Sequence, residues 1–245
     1  MNKIKKIKFK KIFFSNFYEK DFLKIINTNG FFVFPSGPGL ATLNDNEIYK
    51  KSLQNADFVF FDSGYFVFLL RILKNINVKK FSGYLFLKNF FKFLKKNRYK
   101  KVFSIDPSLK SSYLNKSFLK KKCNLIKLES YVAPIYKKNF YDKKLINQLD
   151  KFKPDYILIN LAGGVQEILG NIIKKKIKKK TTIICTGAAI AFFTGEQAKI
   201  NETLDKMYLG WFVRIIYNPL VFVPRYFKAI KLFWLVFQSK IKLSD

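Results

Sequence analysis

Short apolar runs alternate with longer amphipathic segments along most of the chain. The runs have the length of buried β-strands and cover residues 31–34, 57–61, 101–105, 124–128, 155–161 and 181–186. Helical spacing predicts helices over residues 44–55, 65–74, 84–96, 141–151 and 165–176, and another from about Ser108. Such alternation predicts an α/β fold, a Rossmann-like and mostly parallel sheet with helices on both faces.

The pattern changes at residue 204. From there to residue 245 the chain is apolar and aromatic with interspersed Lys and Arg, and we expect Pro219 and Pro224 to break it into short helices. No apolar run reaches the ~18 residues of a transmembrane helix, whereas a basic segment rich in Trp and Phe is typical of the membrane interface. The sequence therefore predicts an α/β catalytic domain over residues 1–203 and a helical membrane-interface tail over residues 204–245.

Four turns that carry glycine or a polar residue follow predicted strands. They contain Ser36, Asp62, the pair Gly163-Gly164 and the pair Thr186-Gly187. Because ligands of open α/β sheets bind at the carboxyl ends of the strands, we expect a binding site where these turns meet.

The pair Gly163-Gly164 joins a strand directly to a helix. Backbone N–H groups at the start of that helix can bind a phosphate, and the amide of Gln166 in its first turn can hydrogen-bond a ligand. On the residues alone, a tight turn that binds nothing is the favoured interpretation of a lone Gly-Gly pair.

Asp62 and Ser36 each allow two interpretations. Asp62 can act as a general base on a sugar hydroxyl, or it can cap the helix that begins near Tyr65, and the pattern does not decide between them. Ser36 can contact a ligand or shape its turn, and the turn is favoured.

The formal net charge is +31, which would draw the protein toward anionic membranes or nucleotides. Only four residues are arginine, and A/T-rich codons favour Lys, Phe, Ile and Asn without selecting a surface. No fingerprint of a nucleic-acid module accompanies the charge, so no nucleic-acid partner is expected. Arg214 and Arg225 predict a phosphate or membrane contact. Lys80 can pair with a diphosphate, although a solvated side chain is the default for a lysine here.

The chain contains no histidine, which excludes histidine-based triads, histidine general bases and most catalytic zinc sites. Acid–base chemistry must therefore rest on Asp, Glu, Lys or Tyr. The two cysteines, Cys123 and Cys185, are far apart and imply no disulfide framework, which fits a reduced cytoplasmic setting.

Four blocks, in order, resemble motifs of the WecG/TagA/CpsF family of glycosyltransferases. Residues 55–64 resemble "sAD…pDG", residues 79–83 resemble "eRvaG", and residues 153–167 resemble "kPDyvlvglGsPkQE". Residues 186–195, together with Trp211, Arg214, Pro219 and Arg225-Tyr226, resemble "GvGgafDflaG…EWlyRl…eP…RY". The resemblance extends from about Asn44 to the end of the tail.

This resemblance implies an inverting transfer of a sugar, typically of the N-acetylmannosamine type, from a UDP-sugar. The acceptor is a polyprenyl-diphosphate-linked glycan at the inner face of the cell membrane, in cell-surface polysaccharide synthesis, and no metal or other cofactor is expected. Asp62 is then the catalytic base, Gln166 lies near the nucleotide-sugar, and Arg214 and Arg225 bind substrate near the membrane. The remaining predicted substrate-binding residues are Ser36, Lys80, Gly83, Gly163, Gly164, Thr186 and Gly187. A homo-oligomer is left open.

Some polar positions of the family motifs are replaced. Ala191 and Gly210 stand where the motifs have Asp and Glu, and Val221 and Pro224 stand where they have two tail arginines. These changes indicate a divergent subgroup. They leave a second hypothesis, a catalytically degraded relative that binds nucleotide-sugar or glycan lipid or acts as a scaffold, beside a third, a charge-driven nucleic-acid-binding protein.

Overall fold

The structure is a computed structural model that describes residues 4–137, 140–197 and 210–244. The strands in this part of the chain are β1 Lys6–Phe9, β2 Ile12–Ser15, β3 Phe31–Val33, β4 Phe58–Phe60, β5 Val102–Asp106, β6 Leu128–Val132, β7 Tyr156–Ile159, β8 Thr182–Cys185 and β9 Lys242–Ser244. They form one sheet in the order β6-β5-β7-β8-β3-β4-β2-β1-β9. The strands from β6 to β2 in this order are parallel, and β1 is antiparallel to both β2 and β9. The predicted mostly parallel α/β fold is confirmed.

Helices cover both faces of the sheet. They are α1 Phe22–Ile25, α2 Gly37–Leu40, α3 Glu47–Gln54, α4 Gly64–Lys74, α5 Gly83–Lys96, α6 Leu109–Cys123, α7 Lys143–Phe152, α8 Val165–Lys176, α9 Ala191–Thr194, α10 Gly210–Tyr217, α11 Pro219–Ala229 and α12 Lys231–Gln238. Short 3₁₀ turns precede α1 and α9. Buried residues of α3, α4, α7, α8 and α12 join the core on one face, and those of α1, α5 and α6 join the core on the other.

The strand residues alternate between these two cores. In β3, Phe31 and Val33 belong to one core and Phe32 to the other, and in β8 Ile183 and Ile184 are divided in the same way. Successive side chains of a strand point to opposite faces, and here both faces are covered, so each strand is a continuous apolar run. This is why the central strands were predictable as short apolar segments.

Two expectations about local structure are wrong, and one pair of strands was not predicted. The strand predicted at residues 124–128 begins only at Leu128, because Asn124 adopts a left-handed conformation (φ 54°) and ends α6. The helix predicted from residue 44 begins at Glu47, where Asn46 accepts a hydrogen bond from the Tyr49 N–H. The β1–β2 hairpin was not predicted, since its turn residues Lys10 and Lys11 (φ 49° and 65°) carry no turn signal.

The C-terminal helices pack on the rest of the molecule. Helix α11 begins at Pro219, as expected, but continues through Pro224, where a break was expected; the expectation of a second break is wrong. Leu232 and Val236 of α12 are fully buried in the core, and β9 pairs with β1. The predicted boundary at residues 203 and 204 lies outside the described residues and stays a prediction. None of the helices in the described ranges is long and apolar enough to cross a membrane.

Candidate active site

The four predicted turns lie together at one edge of the sheet. They follow β3, β4, β7 and β8, which are neighbours in the order β7-β8-β3-β4. A pocket of about 690 Å³ is lined by residues of three of them, the turns after β3, β4 and β8, and by residues of α4 and α11; Gly163 and Gly164 are not in its lining. The expected location of the site, at the carboxyl ends of adjacent parallel strands, therefore coincides with a cavity large enough for a substrate-sized ligand.

Five of the predicted site residues line this pocket: Ser36, Asp62, Lys80, Thr186 and Arg225. Sequence reasoning missed others that line it, among them Tyr65, Phe68, Arg71, Tyr84, Phe222 and Tyr226. These come mainly from one side of α4 and one side of α11. Helical periodicity assigned such residues to amphipathic faces, but only the packing of the helices shows which faces meet over the strand ends.

The structure resolves the two interpretations of Asp62. The side chain that caps α4 is Ser63, whose hydroxyl accepts a hydrogen bond from the Phe66 N–H (3.2 Å), so the capping interpretation of Asp62 is wrong. Asp62 Oδ1 instead accepts a hydrogen bond from the Gly83 N–H (2.9 Å) at the start of α5. Its carboxylate is half-buried and lines the pocket, a position in which a general base can meet a substrate hydroxyl.

Gly83 brings the turn before α5 against the turn after β8. A methyl group added at Gly83 would lie 3.1 Å from Thr186 Cβ and 3.3 Å from the Thr186 carbonyl oxygen, so the close approach of the two backbones needs glycine. Thr186 is buried, and its hydroxyl has no hydrogen-bond partner in the described ranges. Because the hydroxyl oxygen is itself buried, Thr186 borders the pocket with its other atoms, and a ligand contact by Thr186 stays a prediction.

Ser36 shapes its turn, as the favoured interpretation expected. Its hydroxyl caps the short helix α2 by accepting a hydrogen bond from the Gly39 N–H (3.4 Å). Gly163 lies close by, since a methyl group added there would be 3.7 Å from Ser36 Oγ. Ser36 still borders the pocket, so a ligand contact by Ser36 or Gly163 stays a prediction.

Gln166 and Glu167 lie behind the pocket wall, with 2% and 1% of their surfaces exposed. Gln166 Oε1 accepts a hydrogen bond from the Gly187 N–H (2.7 Å), and its Nε2 donates to Glu167 Oε1 (3.0 Å). Glu167 Oε2 accepts from the Gly164 N–H (2.7 Å). Burial raises the pKa of Glu167 to about 7. The Gly164 N–H predicted to bind phosphate thus already bonds to a carboxylate, and phosphate binding at Gly164 stays a prediction.

Three cationic side chains line the pocket together with Asp62: Lys80, Arg71 of α4 and Arg225 of α11. The guanidinium of Arg225 also lies 5.7 Å from the centre of the Phe222 ring. An excess of positive charge around one carboxylate favours an anionic ligand. The side chain of Arg214, also predicted to bind substrate, lies outside the described part of the structure.

A second buried polar cluster occupies the ends of β5 and β7. Asp106 Oδ1 accepts hydrogen bonds from Ser104, Asn115 and Asn160 (2.9, 2.7 and 2.8 Å). Burial raises the pKa of Asp106, and these hydrogen bonds oppose that shift. The cluster ties the two strands to α6 and was not predicted, because Asn160 lies 54 residues from Asp106 along the chain and no local pattern connects the two.

The sequence profile of the glycosyl transferase WecG/TagA/CpsF family matches residues 4–245, almost the whole chain. The chain belongs to this family. Comparison with curated proteins gives no match. Membership makes the protein a glycosyltransferase of polysaccharide synthesis, with a sugar donor and an acceptor as its substrates. Of the residues that carried the resemblance, Asp62 and Arg225 line one pocket, and Gly83 donates its N–H to Asp62.

No group of three or more His, Cys, Asp or Glu residues that could hold a metal ion occurs in residues 4–137, 140–197 and 210–244. Metal-independent transfer stays a prediction. Three cationic residues, Lys80, Arg71 and Arg225, line the pocket.

Proposed function

We propose that this glycosyltransferase moves a sugar of the N-acetylmannosamine type from a UDP-sugar to a polyprenyl-diphosphate-linked acceptor, with inversion at the anomeric carbon. One observation carries the proposal: Asp62 lines a pocket surrounded by cations, and the Gly83 N–H holds one of its carboxylate oxygens. In this mechanism Asp62 accepts the proton of the acceptor hydroxyl as the hydroxyl oxygen attacks the anomeric carbon. The bond between that carbon and the diphosphate oxygen breaks, and UDP leaves.

The cationic side chains stabilise the charge that develops on the leaving diphosphate. Lys80 precedes α5, Arg225 lies on α11 and Arg71 lies on α4, and all three line the pocket. Preorganised positive groups of this kind stabilise a transition state without reorganising when the charge appears. In this mechanism the turns at Gly163-Gly164 and Thr186-Gly187 hold the donor diphosphate, and Thr186 of the second turn lines the pocket.

The acceptor lipid reaches the pocket from the membrane, on which the tail helices lie. Four residues on α11 and α12, here called the apolar tail surface, expose 88%, 74%, 59% and 55% of their surfaces: Leu220, Phe227, Trp234 and Phe237. Exposed lysines on the same helices complement anionic lipid headgroups. Because α11 also lines the pocket, a protein seated on the inner membrane face by this surface presents its pocket next to the lipid.

The test is Asp62→Asn in a transfer assay with a UDP-sugar and a polyprenyl-diphosphate-linked acceptor. The amide keeps the shape of the carboxylate and can still accept from the Gly83 N–H, but it cannot take a proton. We expect kcat to fall by about 10²- to 10⁴-fold while UDP-sugar binding, measured by calorimetry, is retained. Asp45→Asn is the matched control, since Asp45 is exposed and outside the pocket lining.

Two outcomes would reject parts of this assignment. Full activity of the Asp62→Asn variant would remove Asp62 from the mechanism. UDP-sugar binding by the wild-type protein without turnover on any lipid acceptor would instead favour the catalytically degraded relative, and steeply salt-dependent RNA binding without nucleotide-sugar binding would favour the nucleic-acid hypothesis.

A further inference from the structure

Two buried side chains connect the turn after β7 to the turn after β8. The Gly164 N–H donates to Glu167 Oε2 (2.7 Å), Glu167 Oε1 accepts from Gln166 Nε2 (3.0 Å), and Gln166 Oε1 accepts from the Gly187 N–H (2.7 Å). Neither side chain lines the pocket. The hydrogen-bonded chain from Gly164 through Glu167 and Gln166 to Gly187 is called the turn clamp below.

The turn clamp fixes two backbone positions that need to be held. Gly164 has φ +90° and Gly187 has φ +62°, and residues with side chains rarely adopt these conformations. Glycine can adopt them, but it can also adopt several others, so other contacts must select them. The residue before Gly187 is Thr186, which lines the pocket and packs against Gly83. Gly83 in turn donates its N–H to Asp62. The clamp therefore supports both the turns and, through Thr186 and Gly83, the catalytic carboxylate.

The donor and acceptor pattern of the clamp requires one carboxylate and one amide in this order. A carboxylate only accepts, so Glu167 can meet two N–H donors at once. The amide of Gln166 must then direct its Nε2 toward Glu167 and its Oε1 toward the Gly187 N–H, which fixes its orientation. Both ends of Gln166 are used inside the protein.

We propose that Gln166 and Glu167 are positioning residues that act on the donor only through the turns at Gly164 and Gly187, without touching it. This inference rests on the proposed function, because it assumes that the donor diphosphate binds at those turns. It differs from the role that the family resemblance implies for Gln166, which is a direct position beside the nucleotide-sugar. It also gives a defined task to Glu167, which ends one of the blocks that resemble the family but was not among the predicted site residues.

The surroundings of Glu167 have opposing effects on its pKa. Burial raises the pKa of Glu167 to about 7, whereas hydrogen bonds from its own backbone N–H, from Gly164 and from Gln166 lower it, and the nearby Asp62 raises it further. Tyr49 and Cys185 also face Glu167, and its charge helps raise the pKa of both. No cation among the described residues forms an ion pair with Glu167, so hydrogen bonds from N–H groups are what stabilises its carboxylate.

A pair exchange tests the clamp. In Glu167→Gln, the new amide can accept from only one of the two donors, and its own NH₂ group faces the other. In Gln166→Glu, two buried carboxylates face each other. In the double variant Gln166→Glu/Glu167→Gln, the amide at position 167 accepts from the Gly164 N–H and donates to the carboxylate at position 166, which also accepts from the Gly187 N–H. The hydrogen-bonding pattern is then restored with the charge moved by one residue.

We expect each single variant to lower kcat/KM for the UDP-sugar by about ten- to hundredfold, because each leaves a buried polar group unsatisfied. The double variant should recover to within about threefold of the wild-type protein, since its hydrogen bonds are again complementary. Glu129→Gln and Gln148→Glu are the charge-matched controls, because they lie on β6 and α7, away from both turns.

A second measurement is independent of catalysis. In NMR spectra of isotope-labelled protein, the amide signals of Gly164 and Gly187 should both move in Glu167→Gln and return toward their wild-type positions in the double variant. Unmoved amides would overturn the clamp even if the protein proved to have another substrate. Restored amides without recovery of kcat/KM would show that Gln166 touches the donor directly, which would overturn the positioning role. If the wild-type protein bound no UDP-sugar, the proposed function would be wrong. The amide signals of Gly164 and Gly187 would still show whether the turn clamp exists.

Discussion

Replacing Glu167 by glutamine should change how the stability of the protein depends on pH. In the folded protein burial raises the pKa of the Glu167 carboxyl from 4.5 to about 7. The folded state therefore binds this proton more tightly than the unfolded state, and stability falls as pH rises from 4.5 to about 7. One pH unit is worth ~1.4 kcal/mol, so the total loss is about 3 kcal/mol. Glu167→Gln has no such proton to lose.

The assay is urea unfolding of both proteins at several pH values from 4.5 to 8, with the free energy of unfolding extrapolated to water. The difference between the wild-type protein and Glu167→Gln isolates this residue, because Asp106, whose pKa is also raised, and Asp155, whose pKa is lowered, titrate in both proteins. We expect the wild-type protein to lose about 3 kcal/mol relative to the variant between pH 4.5 and 7.5. Parallel curves would refute the reasoning that Glu167 is a buried, proton-binding carboxyl.

Activity should follow the opposite trend. The ionised carboxylate accepts from both Gly164 and Gln166, whereas a protonated one must place its O–H group against one of these donors. Donor use should therefore weaken as pH falls through about 7, while the protein becomes more stable. The ionised form of Glu167 would then give the higher activity and the lower stability. Such a trade-off is expected where function depends on a buried charge.

Two further predictions concern packing and the membrane. Gly170→Ala should destabilise the protein by about 1–3 kcal/mol in urea unfolding, because the added methyl group would lie 2.6 Å from the Phe31 ring and 3.0 Å from Cys185 Sγ. An unchanged unfolding midpoint would mean that α8 can shift away from β3 at no cost in stability. Trp234→Ser/Phe237→Ser should lower partition onto vesicles with anionic lipid by at least about tenfold, since each ring buries apolar area in the interface. The control Leu109→Ser/Tyr113→Ser, which alters exposed residues on α6, should partition like the wild-type protein, and equal loss in both would contradict a specific tail surface.

The central sheet was predictable because its strands are buried on both faces. Strands β3, β4, β7 and β8 are short apolar runs that end at Ser, Asp or Gly turns, and each prediction matches an observed strand to within about two residues at either end. Strand β6 lies at the edge of the sheet and is half exposed, so its sequence mixes polar and apolar residues and its position was misjudged. Periodicity identifies strands in the middle of a sheet better than those at its edge.

The candidate site could be predicted only in part, for reasons that differ between residues. Asp62 was a candidate because it ends an apolar strand, but Ser63 is an equally good cap and only the coordinates separate their roles. Arg71 lies on a helix whose exposed face gives no sign of the pocket it borders. The partner of Gln166 is Gly187, which is twenty-one residues away on another strand end, and no local pattern connects them.

The tail is better described as part of the fold than as an appendage. Leu232 and Val236 are fully buried in the same core as Phe9 and Phe14, and β9 extends the sheet beside β1. Truncation before residue 204 would thus remove the edge strand β9 and expose part of the core. Loss of membrane binding in such a truncated protein would not show where the membrane contact lies. Point variants on exposed positions avoid this. Because α11 contributes to the pocket and α12 is anchored in the core, the packing of the tail holds the apolar tail surface in a fixed position relative to the pocket.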